Sequence, residues 1–319
     1  MHKMSNLEYS FIVKELQALV GKHFSRIRKI REGLYRIKIG SSEIICEPGV
    51  RLHFTKYIED SQPHDKFVEK LEKEMKNARL QSIEQINKDR IMSFNFEGMQ
   101  LVFEMFGQGN IILVKDSKTI TAYKFESWSD REIKPGKEYK YPRSSVSKLE
   151  PSEKYIIVSL LKLPLGKEYA LEALARLGID EKTPGNSLSG NQIMKLEQEI
   201  QSIMENTKPI VYYDKKPLDY SLCKLSKYDY EYKEFPTLSE AADEYYSNFE
   251  EPDPKMEKLK ERLKKQEERL KLLQEEEKSY KEKGDLIYAN YNKVEEAIEL
   301  AKKDKIKTDK KEKSFDLVI

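Results

Sequence analysis

IMSFNFEGMQLVFEMFGQGNIILVKDSKTITAYKF, residues 91–125, decides the fold class. In its first run Met92, Phe94 and Phe96 alternate with Ser93 and Asn95, the two-residue period of a half-buried strand. Glu97-Gly98, Gly107–Gly109 and Asp116-Ser117 interrupt the apolar runs with turn-forming residues. Ile91–Phe96, Gln100–Phe106, Asn110–Lys115 and Thr119–Phe125 therefore read as an antiparallel meander. Upstream, Phe67, Leu71 and Met75 fall four apart and predict a helix over 64–86. Before it, Phe24–Ile30, Tyr35–Ile39 and Glu43–Cys46 read as strands, broken at Glu32-Gly33 and Gly40-Ser41-Ser42. Residues 6–20 place Leu7, Phe11, Ile12, Leu16, Leu19 and Val20 on one helical face, with Gly21 as the stop. Segregated helices and antiparallel strands make the class α+β.

Downstream the texture changes. Residues 126–151 are polar, carry Pro135, Gly136, Pro142 and Pro151, and read as a connection. Three short helical patterns follow at 152–163, 167–177 and 189–204, joined by Gly and Pro turns. They fit a small nucleic-acid-binding module or an ordinary helical subdomain, and the residues leave both open. Residues 208–235 hold one strand-like run, Ile210–Tyr213, and six of the 19 tyrosines. Thr237 is an N-cap for a further helix. Over 255–303, Met256, Leu263, Leu270, Tyr291 and Ile298 share one heptad register. Leu259, Leu273, Tyr280, Ile287, Val294 and Ala301 share the other, and Gln266, Glu277 and Gly284 are polar exceptions. A continuous helix of this length would reach ~75 Å. Such a seam needs a partner helix, either from further sequence of a longer protein or from a second copy of the chain. The Lys-rich 304–319 reads as the start of a truncated middle region.

Composition narrows the function. The 319 residues carry 58 Lys+Arg and 56 Asp+Glu, a formal charge of +2, which excludes a uniformly basic nucleic-acid coat. No apolar run is long enough to span a membrane, and the start lacks a secretory apolar core. Cys46 and Cys223 alone cannot make a disulfide framework or a four-thiolate zinc site, which points to the cytoplasm. His2, His23, His53 and His64 lack metal-ligand spacing. Gly107-Gln108-Gly109 lacks the rest of a phosphate loop, and no serine sits in a nucleophile elbow. The expectation is no enzyme, no metal and no cofactor.

Binding signals are stronger. Lys22, Arg26, Arg28, Lys29, Arg31, Arg36 and Lys38 face one acid, Glu32, over 22–38. Such a stripe suits a nucleic-acid backbone, or a strand edge guarded by charge. Asp89-Arg90 opens a strand. It reads as a structural pair, or as an arginine meeting a phosphate or base with the aspartate orienting a partner group.

An ordered set of segments resembles the NFACT family, which includes NEMF in eukaryotes, RqcH in bacteria and archaeal relatives once labelled fibronectin-binding. The set comprises Leu7-Glu8-Tyr9, Lys14-Glu15-Leu16, Gly21, Ile27 and Lys29-Ile30, then Asp89-Arg90-Ile91. It continues with Phe103 through Leu113, Gly178 through Pro184, and Tyr280 through Asn290, so the likeness spans nearly the whole chain. The resemblance implies a domain similar to that of formamidopyrimidine-DNA glycosylases, formed by 1–150 and 207–250. It also implies a helix-hairpin-helix-type module over 151–206 and one arm of a long coiled coil over 255–303. Glycosylase chemistry is expected to be absent: those enzymes use an N-terminal Pro-Glu pair, and this chain begins Met1-His2-Lys3. The implied function is ribosome-associated quality control, in which the factor binds the large ribosomal subunit carrying an obstructed peptidyl-tRNA. It would recruit tRNA, commonly alanyl-tRNA, for template-free C-terminal tailing of the stalled chain. The other readings are a nucleic-acid-binding protein on a glycosylase-like fold and a non-catalytic coiled-coil adaptor. The family's Asp-Arg pair maps to Asp89 and Arg90, and an N-terminal acid maps to Glu8. A loop maps to Glu104 through Asn110, including Met105 and Gln108. Family members often carry a basic residue at the position of Gln108, and this chain departs from the pattern there.

Overall fold

The computed structural model describes residues 1–142, 148–248 and 254–303. The predicted region 304–319 lies outside them, as do the side chains of Met256 and Leu259. The chain divides into two compact units, Met1–Phe249 and Glu250–Ile319.

The first unit opens with α1 (Asn6–Leu16). Ser5 caps it: the hydroxyl accepts from the Glu8 amide, and the Glu8 carboxylate accepts from the Ser5 amide at 2.6 Å. Leu7, Tyr9, Ile12 and Leu16 are buried. An antiparallel sheet follows in simple order, β1 (Phe24–Arg31), β2 (Leu34–Ile39), β3 (Ser42–Glu47) and β4 (Arg51–Phe54). A second, five-stranded meander comprises β5 (Leu80–Gln85), β6 (Ile91–Phe96), β7 (Met99–Glu104), β8 (Asn110–Lys115) and β9 (Lys118–Ala122). Both sheets contribute to one core, with Phe24 edge-on to Phe96 at 6.5 Å.

The helix predicted over 64–86 is only α2 (Lys66–Met75). Asn77 takes a left-handed φ of 58° and turns the chain into β5. A bulge between Leu80 and Ser82 lets both Leu80 and Ile83 face the core, opposite Phe96 and Phe94. Their three-residue spacing imitates a helical period, which is why the sequence misreads here.

The outer face of the meander is also covered. Ile91, Val102, Ile112 and Val114 pack with Ile133 and Tyr139. These last two come from 126–151, expected to be a plain connection. It contains a two-stranded ribbon, β10 (Glu126–Ser127) and β11 (Glu132–Ile133). Three helices follow, α3 (Ile156–Leu160), α4 (Lys167–Arg176) and α5 (Gly190–Glu205). Their buried Ile156, Tyr169, Leu174 and Leu196 join the main core. The tyrosine-rich segment forms a whole sheet rather than one strand, in order β13 (Lys216–Ser221), β12 (Ile210–Asp214), β14 (Glu231–Glu234). Then α6 (Leu238–Ser247) begins at Thr237, whose hydroxyl accepts from Glu240. The Glu15 carboxylate of α1 accepts from the Leu238 and Ser239 amides, an acid placed at a helix N-terminus.

The second unit holds α7 (Pro254–Ala289) and α8 (Tyr291–Lys302). The single continuous helix predicted over 255–303 is thus divided at Asn290, whose φ of −119° leaves the helical region. Along it Leu263, Leu270, Leu273, Tyr280, Ile287, Tyr291 and Ile298 are exposed.

Candidate nucleic-acid interface

The site forms where β5, β6, β7 and β8 end or begin together. After Gln85 the chain makes a tight turn, with Asn87 and Lys88 both at φ 54°. The Gln85 amide group donates to the carbonyls of Asn6 and Asp89, each at 2.9 Å, and fixes the turn against α1. Asp89 accepts from Asn6 Nδ2 at 3.1 Å and from the Arg90 amide at 2.7 Å. The Arg90 carbonyl accepts from the Met105 amide, and Ile91 pairs with Glu104. The Arg90 side chain is half-buried, and among the described residues no carboxylate forms an ion pair with its guanidinium. It lies within electrostatic reach of the buried Tyr9 phenol.

Beside it the loop Gly107-Gln108-Gly109 rests against the turn at Pro48-Gly49. A Cβ on Gly109 would lie 2.0 Å from the Gly49 nitrogen, so two backbones meet where no side chain fits. Gln108 is exposed, and Lys124 donates to its carbonyl at 3.2 Å.

Beneath this surface lie two buried polar assemblies. In the first, Glu8 is only 1% exposed. It accepts from the Tyr169 hydroxyl at 2.8 Å and from His2 Nε2 at 3.1 Å. His2 Nδ1 meets Asp219 at 2.6 Å, and Asp219 also accepts from the Tyr228 hydroxyl. Burial alone would lower the His2 pKa, but Glu8 and then Asp219 outweigh it and raise it to about 10, so the ring is a cation. Burial works against charge on Glu8 and Asp219 as well, yet His2 holds both below their usual range. Helices α1 and α4 and strand β13 are thereby tied to the chain's second residue.

In the second assembly, Arg131 forks onto Glu104 at 2.5 and 3.0 Å, and Tyr139 donates to the same carboxylate at 2.8 Å. The guanidinium also lies 4.4 Å from the centre of the Trp128 ring.

Several anticipated contacts are placed differently from the sequence reading. Glu8, Glu104 and Met105 are buried and cannot touch a macromolecule directly. Both carboxylates are consumed by internal partners, and Met105 packs in the core. Asp89, Arg90 and Gln108 remain accessible. The stripe from Lys22 to Lys38 is largely neutralised by acids, most of them outside it in sequence. Glu43 serves Arg26, Arg36 and Lys38, and Glu72 serves Arg28, whose guanidinium also donates to His64 Nε2. Lys29 meets Glu32 and Asp65, and Arg31 meets Glu47. Lys22 lays its stem against Gly40. The stripe is therefore a mixed-charge surface rather than a bare cationic one. Sequence reasoning missed Arg131, Trp128 and Asp219. The one available signal was a lone Trp beside an Arg within a polar segment. Among the described residues, no cluster of three or more His, Cys, Asp or Glu could hold a metal ion, and no helix is long and apolar enough to cross a membrane.

Residues 9–317 match the family described as NFACT N-terminal and middle domains. The archaeal Rqc2 homolog aRqcH of Methanocaldococcus jannaschii is 32% identical over an alignment covering 96% of this chain and 53% of that protein. Ribosome quality control complex subunit 2 of Schizosaccharomyces pombe is 30% identical over 35% of this chain and 12% of that protein. The chain thus spans about half the length of the archaeal relative. Among solved structures, the fibrinogen binding protein from Staphylococcus aureus matches with a TM-score of 0.62 at 16% identity, covering 76% of this chain and 98% of that one. The N-terminal part of the fibronectin/fibrinogen-binding protein from Streptococcus suis matches at 0.61 and 22% identity, covering 77% and 100%. These two likenesses concern the fold.

Proposed function

The chain belongs to the NFACT family, and on that premise we propose that it acts in ribosome-associated quality control. It binds the large ribosomal subunit carrying an obstructed peptidyl-tRNA and recruits tRNA for template-free tailing of the stalled chain. The observation that carries this reading is the likeness to the archaeal Rqc2 homolog along 96% of the chain. The geometry supports the tRNA arm: Arg90 presents a guanidinium that no carboxylate among the described residues claims, at a sheet end it shares with exposed Gln108. Its role is binding, without catalysis, in the cytoplasm. Within it, 1–150 and 207–250 form the glycosylase-like domain and α3–α5 act as a helix-hairpin-helix-type module. α7 and α8 form one arm of a coiled coil, partnered by a helix from further sequence of the same protein or by a second copy.

The test is co-sedimentation with purified large subunits, with and without peptidyl-tRNA, at low salt, followed by sequencing of the RNA retained. Binding that strengthens with peptidyl-tRNA, together with enrichment of tRNA, is expected. No association of the full-length protein with either subunit preparation would remove the reading.

A further inference from the structure

We infer that Trp128 is a stacking platform for an unpaired RNA base, a contact that rests on the tRNA-binding reading and extends it to a second face of the same sheet end. The ribbon of β10 and β11 closes through Trp128-Ser129-Asp130-Arg131, and the Trp128 amide donates to the Arg131 carbonyl at 2.9 Å. The loop is held from below. Arg131 is fastened to buried Glu104 by two hydrogen bonds, and Glu104 is held in turn by Tyr139. The guanidinium covers one face of the indole and sets its plane. The rest of the ring is open: Trp128 is 44% exposed, and neighbouring Phe125 is 55% exposed. A large aromatic surface left in water while its cationic backing is rigidly buried is arranged for a ligand with a π-face.

The position selects the ligand. Glu104 is the β7 residue opposite Ile91, the neighbour of Arg90, so the two contacts share one sheet end. Asp89 is bonded to α1 on the inner face, while Arg131 and Trp128 attach to the outer face through Glu104, which lies beside Ile91 and Val102. Lys124 joins this end to the Gln108 loop, and exposed Lys134, Lys137 and Lys140 follow the ribbon as a mixed-charge surface, the first two paired with Glu132 and the third with Glu138. An open indole backed by a guanidinium suits a splayed base, the usual means by which proteins hold single-stranded RNA. Duplex RNA keeps its bases stacked inside and offers the ring nothing to lie on.

Trp128 is the sole tryptophan, so its emission reports this site alone. The full chain is titrated with bulk tRNA, a short single-stranded oligoribonucleotide and a duplex of the same sequence, with filter binding as an independent readout. Quenching by tRNA and by the single strand, but not by the duplex, is expected. Trp128→Ala should weaken both interactions roughly tenfold to a hundredfold at an unchanged melting temperature, and Trp128→Phe should restore most of the loss. If filter binding retains tRNA while emission stays constant and Trp128→Ala binds normally, stacking is refuted and tRNA binding stands. If the duplex quenches as strongly as the single strand, stacking is likewise refuted. Emission that responds only to large-subunit proteins would make the site a protein contact instead. Failure of the unaltered chain to retain any tRNA overturns this inference together with the tRNA arm of the proposed function. Should Trp128→Ala fail to fold, the titration of the unaltered chain decides alone.

Discussion

Asp89 turns its carboxylate onto the main-chain amide of Arg90, 2.7 Å away, and leaves the guanidinium of that residue alone. The two adjacent charges therefore do different work. Asp89 fastens the turn to Asn6 of α1, while Arg90 is free to engage a phosphate or a base edge. Arg90→Ala is expected to lower tRNA affinity about ten- to a hundredfold, one charged contact costing roughly 1–3 kcal/mol, and to leave the melting temperature in place. Asp89→Ala should lower both, because the loss of two hydrogen bonds to a carboxylate loosens the turn itself. Thermal melts and tRNA binding on the two single variants separate these roles. A lowered melting temperature for Arg90→Ala would instead make it a structural arginine.

Glu104 and Arg131 form a bridge with side chains only 2% and 9% exposed. Removing one partner strands the other charge in the interior. Glu104→Met is expected to cost about 3–5 kcal/mol, whereas changing both residues to Met should recover much of that loss. Denaturant midpoints on the single and double variants measure it. A single variant that costs no more than the double would show that Arg131 finds water on its own.

Much of the β architecture was legible because turn residues and alternation agree along 91–125, and each strand predicted there forms. The Thr237 cap was equally readable, as were Leu7, Ile12 and Leu16 of the α1 face, but the helix expected over 6–20 closes at Leu16 and leaves Val20 exposed. The failures have local causes. The bulge in β5 gave Leu80 and Ile83 a false helical spacing. The basic stripe looked free because Glu43, Glu47, Asp65 and Glu72 reach it only in the fold. Of the candidate site, Asp89, Arg90 and Gln108 were recoverable by resemblance. The burial of Glu8 and Glu104 was not, because it depends on His2, Tyr169, Arg131 and Tyr139 arriving from distant segments.

Gly109 and Gly98 both sit in the left-handed region, at φ 62° and 71°, yet their surroundings differ. A Cβ at Gly98 meets nothing within 4 Å, whereas one at Gly109 falls 2.0 Å from a backbone nitrogen and 2.2 Å from the Pro48 carbonyl carbon. Gly98→Ala should cost only the conformational term, about 1–2 kcal/mol. Gly109→Ala should cost clearly more and should perturb tRNA binding through the displaced Gln108 loop. Equal costs in paired melts would mean that the 48–49 turn gives way freely.

His2 and His53 are both buried and are pushed in opposite directions, which sets the pH at which the fold is firmest. His2 rises from 6.5 to about 10. Its contribution is complete below 6.5 and is lost as pH climbs toward 10, because the unfolded chain then binds fewer protons than the folded one. His53 falls to about 3, driven first by burial and then by the neighbouring Arg51 charge, against an Nδ1 hydrogen bond to the Phe54 carbonyl. Its contribution is complete above 6.5 and is lost as pH falls toward 3, because the unfolded chain then binds more protons. The two slopes meet near 6.5, so the melting temperature should peak there. Below that, the lowered carboxyls of Glu8 and Asp219 protonate last and add to the acid limb. His2→Gln is expected to flatten the limb between 6.5 and about 8.5, where free thiols of an unfolded chain begin to ionise and other groups take over. The acid limb should keep its His53 slope in that variant. Melting temperatures of both proteins across this range check the assignment, and an alkaline limb that His2→Gln leaves unchanged would show that His2 is not the group responsible.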